Sequence, residues 1–115
     1  MEDNAFRKIA LALPEAQEQA HFDTPSFRVR GKIFAQLSTD GLNGLIKLPP
    51  ERQEWLITTQ PEACRAEPGW WGRHGWTWLK WNALASDQLE ELITESWRMV
   101  APRDLRQSNP APPSD

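Results

Sequence analysis

The chain has 115 residues, of which 39% are hydrophobic and 25% charged, and its formal net charge is -3. This length and composition predict one globular domain and exclude a disordered or fibrous protein. No apolar run reaches the roughly 20 residues of a membrane span, the acidic N-terminus does not resemble a secretory signal, and the single cysteine, Cys64, permits no internal disulfide. We therefore expect a cytoplasmic monomer without a membrane segment.

The first third of the chain predicts a short helix and then a β-hairpin. Asp3 is placed to cap a helix whose apolar residues recur at helical spacing until Pro14 ends it. After a polar connection, SFRVRGKIFAQLS (26–38) predicts two antiparallel strands, because β-branched and aromatic residues flank the turn-forming Gly31. LIKL (45–48) follows turn signals and predicts a third strand.

Alternation along the hairpin does not produce one apolar face and one polar face. With a two-residue turn at Gly31, one face carries Phe27, Val29 and Phe34. The other face carries Arg28, Arg30, Ile33, Ala35 and Leu37. A β-bulge, or a sheet that is covered only in part, would resolve this conflict, and the sequence leaves open which face holds the arginines.

The middle of the chain predicts a helix and a further strand. Pro50 and Pro61 mark the start and the end of a helix that exposes mostly acidic residues. The alternation in WTWLKW (76–81) is typical of a strand. One face of this strand would carry Thr77, Leu79 and Trp81, and the other face Trp76, Trp78 and Lys80.

The segment SDQLEELITESWRMVA (86–101) predicts the last helix, which begins at Ser86 or at a capping box of Asp87 and Glu90. Its apolar stripe consists of Leu89, Leu92, Ile93, Trp97 and Val100. Trp97 is therefore predicted to be buried. Residues 107–115 are polar and rich in proline, which predicts a disordered tail after a single domain of residues 1–106.

Five of the seven tryptophans lie in PGWWGRHGWTWLKW (68–81). The glycines around Trp70, Trp71 and Trp76 favour a loop that these side chains anchor against the core. Trp78 differs, because it points outward if Leu79 faces the core. An outward tryptophan is a candidate to stack on a nucleic-acid base or to contact a protein partner.

Four segments resemble, in this order, the MmcQ/YjbR family of small bacterial proteins: ALALPEAQEQAHFDTPSFRVRGKIFAQL (10–37), LIKLPPE (45–51), PGWWGRHGWTWL (68–79) and LEELITESWRMVAP (89–102). The resemblance implies an α+β fold in which N-terminal, middle and C-terminal helices pack on an antiparallel sheet with two hairpin wings, similar to type III secretion chaperones. It also implies DNA binding, a family description that rests on this double-wing shape. Trp78 and Trp81 depart from the family, whose members carry smaller residues there.

The charge distribution gives two opposing indications about nucleic acid. The acidic net charge disfavours contact with phosphates, whereas the cations lie on predicted strands and hairpins and the carboxylates on predicted helices. We predict a nucleic-acid-binding surface that consists of Arg28, Arg30, Lys32, Lys47, Arg73, His74, Trp78 and Lys80. Two alternatives stand beside it. In the first, these residues are the solvated face of a half-buried sheet, and in the second, the protein is a chaperone-like adaptor that binds a protein through the outward tryptophan.

The residues give little support to catalysis. His21, His74 and Cys64 are the only imidazole and thiol groups, and their spacing matches neither a metal site nor a catalytic nucleophile. The segment GWWGRHG lacks the lysine and the following helix of a phosphate-binding loop. We predict a protein that is not an enzyme and binds no metal or cofactor. Cys64 is predicted to be a half-buried, unreactive residue, although Arg65 is placed to lower its pKa.

Overall fold

The computed structural model describes residues 4–21 and 24–108, which form five helices and six strands. The helices are α1 (Ala5–Leu11), α2 (Pro50–Thr59), α3 (Trp70–Arg73), α4 (Ser86–Val100) and α5 (Arg103–Ser108). The strands are β1 (Ala16–His21), β2 (Thr24–Val29), β3 (Lys32–Leu37), β4 (Gly44–Lys47), β5 (Cys64–Ala66) and β6 (Trp76–Leu79). None of the described helices is long and apolar enough to cross a bilayer.

All six strands form one antiparallel sheet in the order β1-β2-β3-β4-β6-β5. The predicted α+β class and the hairpin of β2 and β3 are thereby confirmed. The two edge strands, β1 and β5, were not predicted. β1 had been interpreted as a polar connection, because its sequence AQEQAH lacks the β-branched residues that are typical of strands. Backbone pairing with β2 holds it in the sheet instead.

Helices cover one face of the sheet. Trp97 of α4 is fully buried, as predicted, and its indole N–H donates to the carbonyl of Pro14 at 3.1 Å. On α1, Phe6 packs against Phe27 with their ring centres 6.1 Å apart. Arg52 of α2 bonds a carboxylate oxygen of α4 at 2.9 Å, which ties the middle helix to the same side. The opposite side of the sheet, called the open face below, carries only the short α3 at its margin among the described helices.

A β-bulge resolves the conflict in the hairpin. Phe27 pairs with Ala35 and Arg28 pairs with Ile33, so Phe34 has no partner on β2. The extra residue lets Phe34 and Ala35 both be buried, and it shifts the alternation of the strand. Arg28 and Ile33 consequently share the open face.

The helix caps differ from the predictions. Asn4 caps α1 by accepting the N–H of Arg7 at 3.1 Å, while Asp3, the predicted cap, lies outside the described residues. The predicted capping box of the last helix is wrong. Ala85 precedes α4 without a side-chain cap, because the helix already begins at Ser86 and Asp87 lies within its first turn. There the carboxylate still faces the positive end of the helix dipole.

The C-terminal part of the chain continues as α5 beyond the predicted domain boundary. Leu105 of this helix is buried against the core. The helix ends at Ser108, two residues into the segment that was predicted to be disordered. Residues 109–115 lie outside the described residues, so the division into a domain and a tail stays a prediction.

Candidate nucleic-acid interface

The register of the strands determines which side chains share the open face. One row crosses five neighbouring strands and consists of Ser26, Gln36, Leu45, Trp78 and Arg65. A second row lies two residues further along the strands. It contains Arg28 opposite Ile33, and Lys47 opposite Trp76. The open face is therefore cationic and aromatic rather than a mere polar exterior.

A groove of about 640 Å³ lies along this face. Three tryptophans at one end, Trp71, Trp76 and Trp78, form its walls, together with the floor residues Ile33 and Leu45. At the other end, two cationic residues border it. These are Arg28 on β2 and Lys32 at the start of β3. The volume lies within the range of sites that bind small organic molecules.

Trp78 is half-buried in the wall of the groove and is held on two sides. Its indole N–H donates to a carboxylate oxygen of Glu67, and the guanidinium carbon of Arg65 lies 5.6 Å from its ring centre. Trp78 also lines a second hollow of about 450 Å³, which contains Arg65 and Lys80. The predicted outward orientation of Trp78 is confirmed, but its neighbours are Arg65 and Glu67 and not Arg73 and His74.

The prediction that Trp70 and Trp71 anchor a loop against the core is wrong. They lie on α3 and are 54% and 55% exposed. Gly69, with φ of 78°, turns the chain into this helix. At Gly72, a Cβ would lie 1.8 Å from the carbonyl oxygen of Glu67. The backbone of Gly72, and not either indole, makes the close contact with Glu67. The rings of Trp70 and Trp71 therefore remain on the surface of the protein.

The aromatic residues of α3 contact one another. The rings of Trp70 and His74 stack with centres 3.8 Å apart, and His74 Nδ1 lies 2.8 Å from the carbonyl oxygen of Trp70. Trp71 meets Trp70 edge to face at 4.9 Å and Trp76 at 6.2 Å. Trp76 is half-buried and connects this cluster to the groove. The cluster forms one corner of the open face.

Trp81 does not continue the strand as predicted. β6 ends at Leu79, and Trp81 begins a 3-10 turn, Trp81–Ala83. Its indole N–H donates to the carbonyl oxygen of Gly41 at 2.8 Å, so the side chain is half-buried against the loop that precedes β4. The other two residues of the predicted inner face, Thr77 and Leu79, are buried as expected.

Arg30 lies apart from the other predicted site residues. It occupies the hairpin turn with φ of 52°, and its guanidinium pairs with Glu15 at 2.7 Å and with Asp104 at 3.5 Å. The hydrogen bond to Glu15 raises the pKa of Arg30, and the same bond lowers the pKa of Glu15. Its charge is thus offset by two carboxylates.

Arg73 and Lys80 lie at opposite ends of β6. Arg73 lies on α3 before β6, and Lys80 follows the strand at its other end. Lys80 adjoins Trp78 in the second hollow, whereas Arg73 and His74 are exposed at the aromatic corner. The predicted surface therefore consists of a central group, Arg28, Lys32, Lys47, Trp78 and Lys80, and a marginal pair, Arg73 and His74.

The balance of charge differs between the two sides of the molecule. The residues that line the two hollows include four cations, Arg28, Lys32, Arg65 and Lys80, and two carboxylates, Glu62 and Glu67. On the covered side, α2 and α4 expose Glu51, Glu54, Asp87, Glu90 and Glu91 and also carry Arg52 and Arg98. Acidic charge is thus in excess on α2 and α4, whereas the residues around the two hollows carry a small excess of positive charge.

Several residues of this surface were missed by sequence reasoning. Arg65 and Glu67 were overlooked because the strand β5 was not recognised in QPEACRAEP. Ile33 was placed on the same face as Arg28, and Leu45 was not assigned to a face. Trp71 was also assigned to the core. The tertiary structure places four of these residues around the groove and Arg65 in the second hollow beside it.

Three residues, Cys64, His21 and His74, carry the thiol and imidazole groups of the chain. Cys64 is buried more completely than predicted, and burial raises the pKa of its thiol, opposite to the effect considered for Arg65. Within residues 4–21 and 24–108, no three His, Cys, Asp or Glu side chains are grouped so that they would hold a metal ion. The side chain of His21 lies outside what the structure describes.

The fold and the uncovered sheet face define a class of small α+β proteins with helices on one side of an antiparallel sheet. A model of the YjbR family matches residues 11–99, and the chain belongs to this family. The crystal structure of Deinococcus radiodurans protein DR2400, with a DUF419 domain, superposes with a TM-score of 0.74. The two are 23% identical, and the match covers 92% of this chain and 86% of DR2400. No curated protein matches the sequence.

Proposed function

We propose that the open face of the sheet binds DNA, without catalysis. The observation that carries the proposal is the excess of cations around the two hollows, against an excess of carboxylates on α2 and α4 on the other side. Binding to phosphate depends on the local cations that release counterions, and not on the net charge of the chain. An acidic protein with one cationic face satisfies this requirement.

The positions of the cations fit an extended polyanion better than a compact one. Arg28 and Lys32 border one end of the groove, and Lys80 lies beyond Trp78 in the second hollow. Lys47 lies between them on the same face. A backbone that crosses the sheet would meet a cation at each end and one near the middle.

The test is a titration of fluorescent DNA at several salt concentrations. The double variant Arg28→Gln/Lys80→Gln removes one cation from each end of the open face. We expect weaker binding to every sequence and a salt slope reduced by roughly 1.8 for duplex, or about 1.4 for single strands. The matched control, Arg7→Gln/Lys8→Gln on α1, removes the same charge from the helical side and should leave the slope nearly unchanged.

Two results would refute the proposal. One is that the wild-type protein binds neither duplex nor single-stranded DNA at low salt, where the electrostatic attraction is strongest. The other is that both double variants reduce the slope equally, since the open face would then have no special role.

A second candidate function is binding of a protein partner at the aromatic corner. The exposure of Trp70 and Trp71, each above half, favours it, because large exposed indoles are typical anchors of protein interfaces. Such binding should depend little on salt. It should be lost in Trp70→Ala and retained in Arg28→Gln/Lys80→Gln, which is the opposite of the pattern expected for DNA.

A further inference from the structure

The groove on the open face has two chemically different ends. Trp71, Trp76 and Trp78 line one end, and the cationic residues Arg28 and Lys32 line the other. A ligand that satisfies both ends has a flat apolar face and an anionic group. A nucleotide has these two parts, the base and the phosphate.

We propose that the groove binds an unpaired nucleotide, with its base against the indoles of Trp76 and Trp78 and its phosphate near Arg28 and Lys32. This inference rests on the proposed function and specifies its substrate, because it requires single strands and not duplex DNA. Stacking on an indole needs an exposed base face, and in a duplex that face is covered by the neighbouring base pair. Extruding a base from a duplex costs a few kcal/mol.

The way in which Trp78 is held supports stacking. Its N–H is already bonded to Glu67, so its edge has a partner and its ring face is the part that remains for a ligand. Arg65 lines the second hollow, with its guanidinium carbon 5.6 Å from the ring centre of Trp78. It does not line the groove, so the indole of Trp78 is free of Arg65 on the groove side. The ring is therefore oriented before any ligand binds, which reduces the entropy lost on binding.

The dimensions of the open face suit a nucleic-acid strand that runs across the β-strands of the sheet. Arg28 on β2 and Trp78 on β6 are separated by three steps between neighbouring strands, or about 14 Å of sheet. Trp76 and Trp78 lie two residues apart on one face of β6, about 7 Å from each other. Beyond Trp78, Lys80 in the second hollow is positioned for the next phosphate. A nucleic-acid strand and a free nucleotide share the chemistry that the groove recognises, and Lys80 would contact only the strand.

The experiment compares three probes with the whole chain: a short oligothymidine, the same oligothymidine paired with its complement, and AMP. We expect oligothymidine to bind more tightly than the duplex at equal salt, with AMP as a weak competitor for the groove. Trp78→Ala should weaken binding of oligothymidine about 5- to 150-fold and leave the salt slope nearly unchanged. Trp71→Ala, at an exposed position whose loss spares the core, should weaken it about 5-fold.

The matched control is Trp55→Ala. Trp55 lies on α2, is 49% exposed and has an arginine over its ring, as Trp78 has, but it lies on the helical side. Its removal should not change affinity for oligothymidine. A measurement without variants uses the seven indole N–H signals in a two-dimensional NMR spectrum. Oligothymidine should shift the signals of Trp71, Trp76 and Trp78 and not that of the buried Trp97.

The outcomes separate this inference from the proposed function. If the duplex binds as tightly as oligothymidine and Trp71→Ala and Trp78→Ala bind like the wild type, the groove inference is wrong and DNA binding by the open face stands. If AMP shifts the three indole signals as strongly as oligothymidine does and competes fully, the ligand is a free nucleotide and strand binding is wrong. If no probe binds at low salt, both proposals are wrong.

Discussion

Ser96 tests how strongly α4 is joined to the strands β3 and β4 of the sheet. Its side chain is fully buried on α4, at the junction with β3 and β4. The hydroxyl donates to the carbonyl oxygen of Phe34 at 2.5 Å and accepts the N–H of Lys47 at 2.8 Å. Phe34 is the bulge residue, and Lys47 projects from the open face. One hydroxyl thus joins the helix to two strands.

Ser96→Ala should lower the free energy of unfolding by about 2 to 4 kcal/mol. The substitution removes two hydrogen bonds and leaves a buried N–H and a buried C=O without this partner, and each such group costs about 1 to 3 kcal/mol. The lower part of the summed range is expected, because the strands can relax slightly and admit water. A loss of this size is a large fraction of the stability of about 5 to 15 kcal/mol of a typical domain.

The assay is urea unfolding followed by tryptophan fluorescence, with the slope of free energy against urea compared between variants. The control is Thr94→Ala on the same helix. The Thr94 hydroxyl bonds only the carbonyl of Glu90 one turn earlier, at 2.8 Å, so its loss should change stability by about 0.5 kcal/mol or less. If Ser96→Ala costs no more than Thr94→Ala, the bridge between helix and strands does not stabilise the fold.

Three further predictions concern the core and the backbone. Trp97→Ala should cost about 3 to 5 kcal/mol in the same urea assay, whereas Trp55→Ala, at an exposed position, should cost less than about 1 kcal/mol; equal losses would contradict the burial of Trp97. Gly75→Ala should lower the free energy of unfolding by about 3 kcal/mol or more, because φ of Gly75 is 99° and a Cβ would lie 2.0 Å from the carbonyl oxygen of Leu48. A variant as stable as the wild type would show that this contact is absent. The thiol of Cys64 should react with a disulfide reagent far more slowly in the folded chain than in urea, since burial raises its pKa and keeps it protonated. A reaction rate that does not depend on urea would contradict the burial of Cys64. The same pKa shift implies that the thiol favours folding below the pKa of the unfolded thiol, and that this contribution to stability is lost as the pH rises above that value.

The local patterns of the sequence determined the elements whose signals lie within a short window. The hairpin of β2 and β3 follows from β-formers around Gly31, and α4 follows from an apolar stripe at helical spacing. Burial of Trp97 follows from its position on that stripe. The family resemblance, based on four ordered segments, implied the α+β class. In each case, residues that are close in the chain carry the information.

The tertiary structure alone decided the edge strands and the bulge. β1 and β5 have weak intrinsic preference for a strand. The hydrogen bonds that hold them in the sheet come from the neighbouring strands, β2 for β1 and β6 for β5. The unpaired position of Phe34 depends on the packing of two buried side chains under α4. The alternation along the hairpin indicated that neither face is purely polar, but only the packing of the core determined that a β-bulge resolves this conflict.

The arrangement of the candidate site depended most on the tertiary structure. The sequence predicted that Arg28, Lys32, Lys47, Trp78 and Lys80 belong to one surface, but it left open which face of the sheet holds the arginines. It also placed Arg30 with them, although Glu15 and Asp104 hold it elsewhere. Which side chains share a face depends on register, and register is set by pairing across the whole sheet. Composition therefore revealed an acidic chain with many tryptophans, and only the assembled sheet determined the balance of charge on each side and formed the groove.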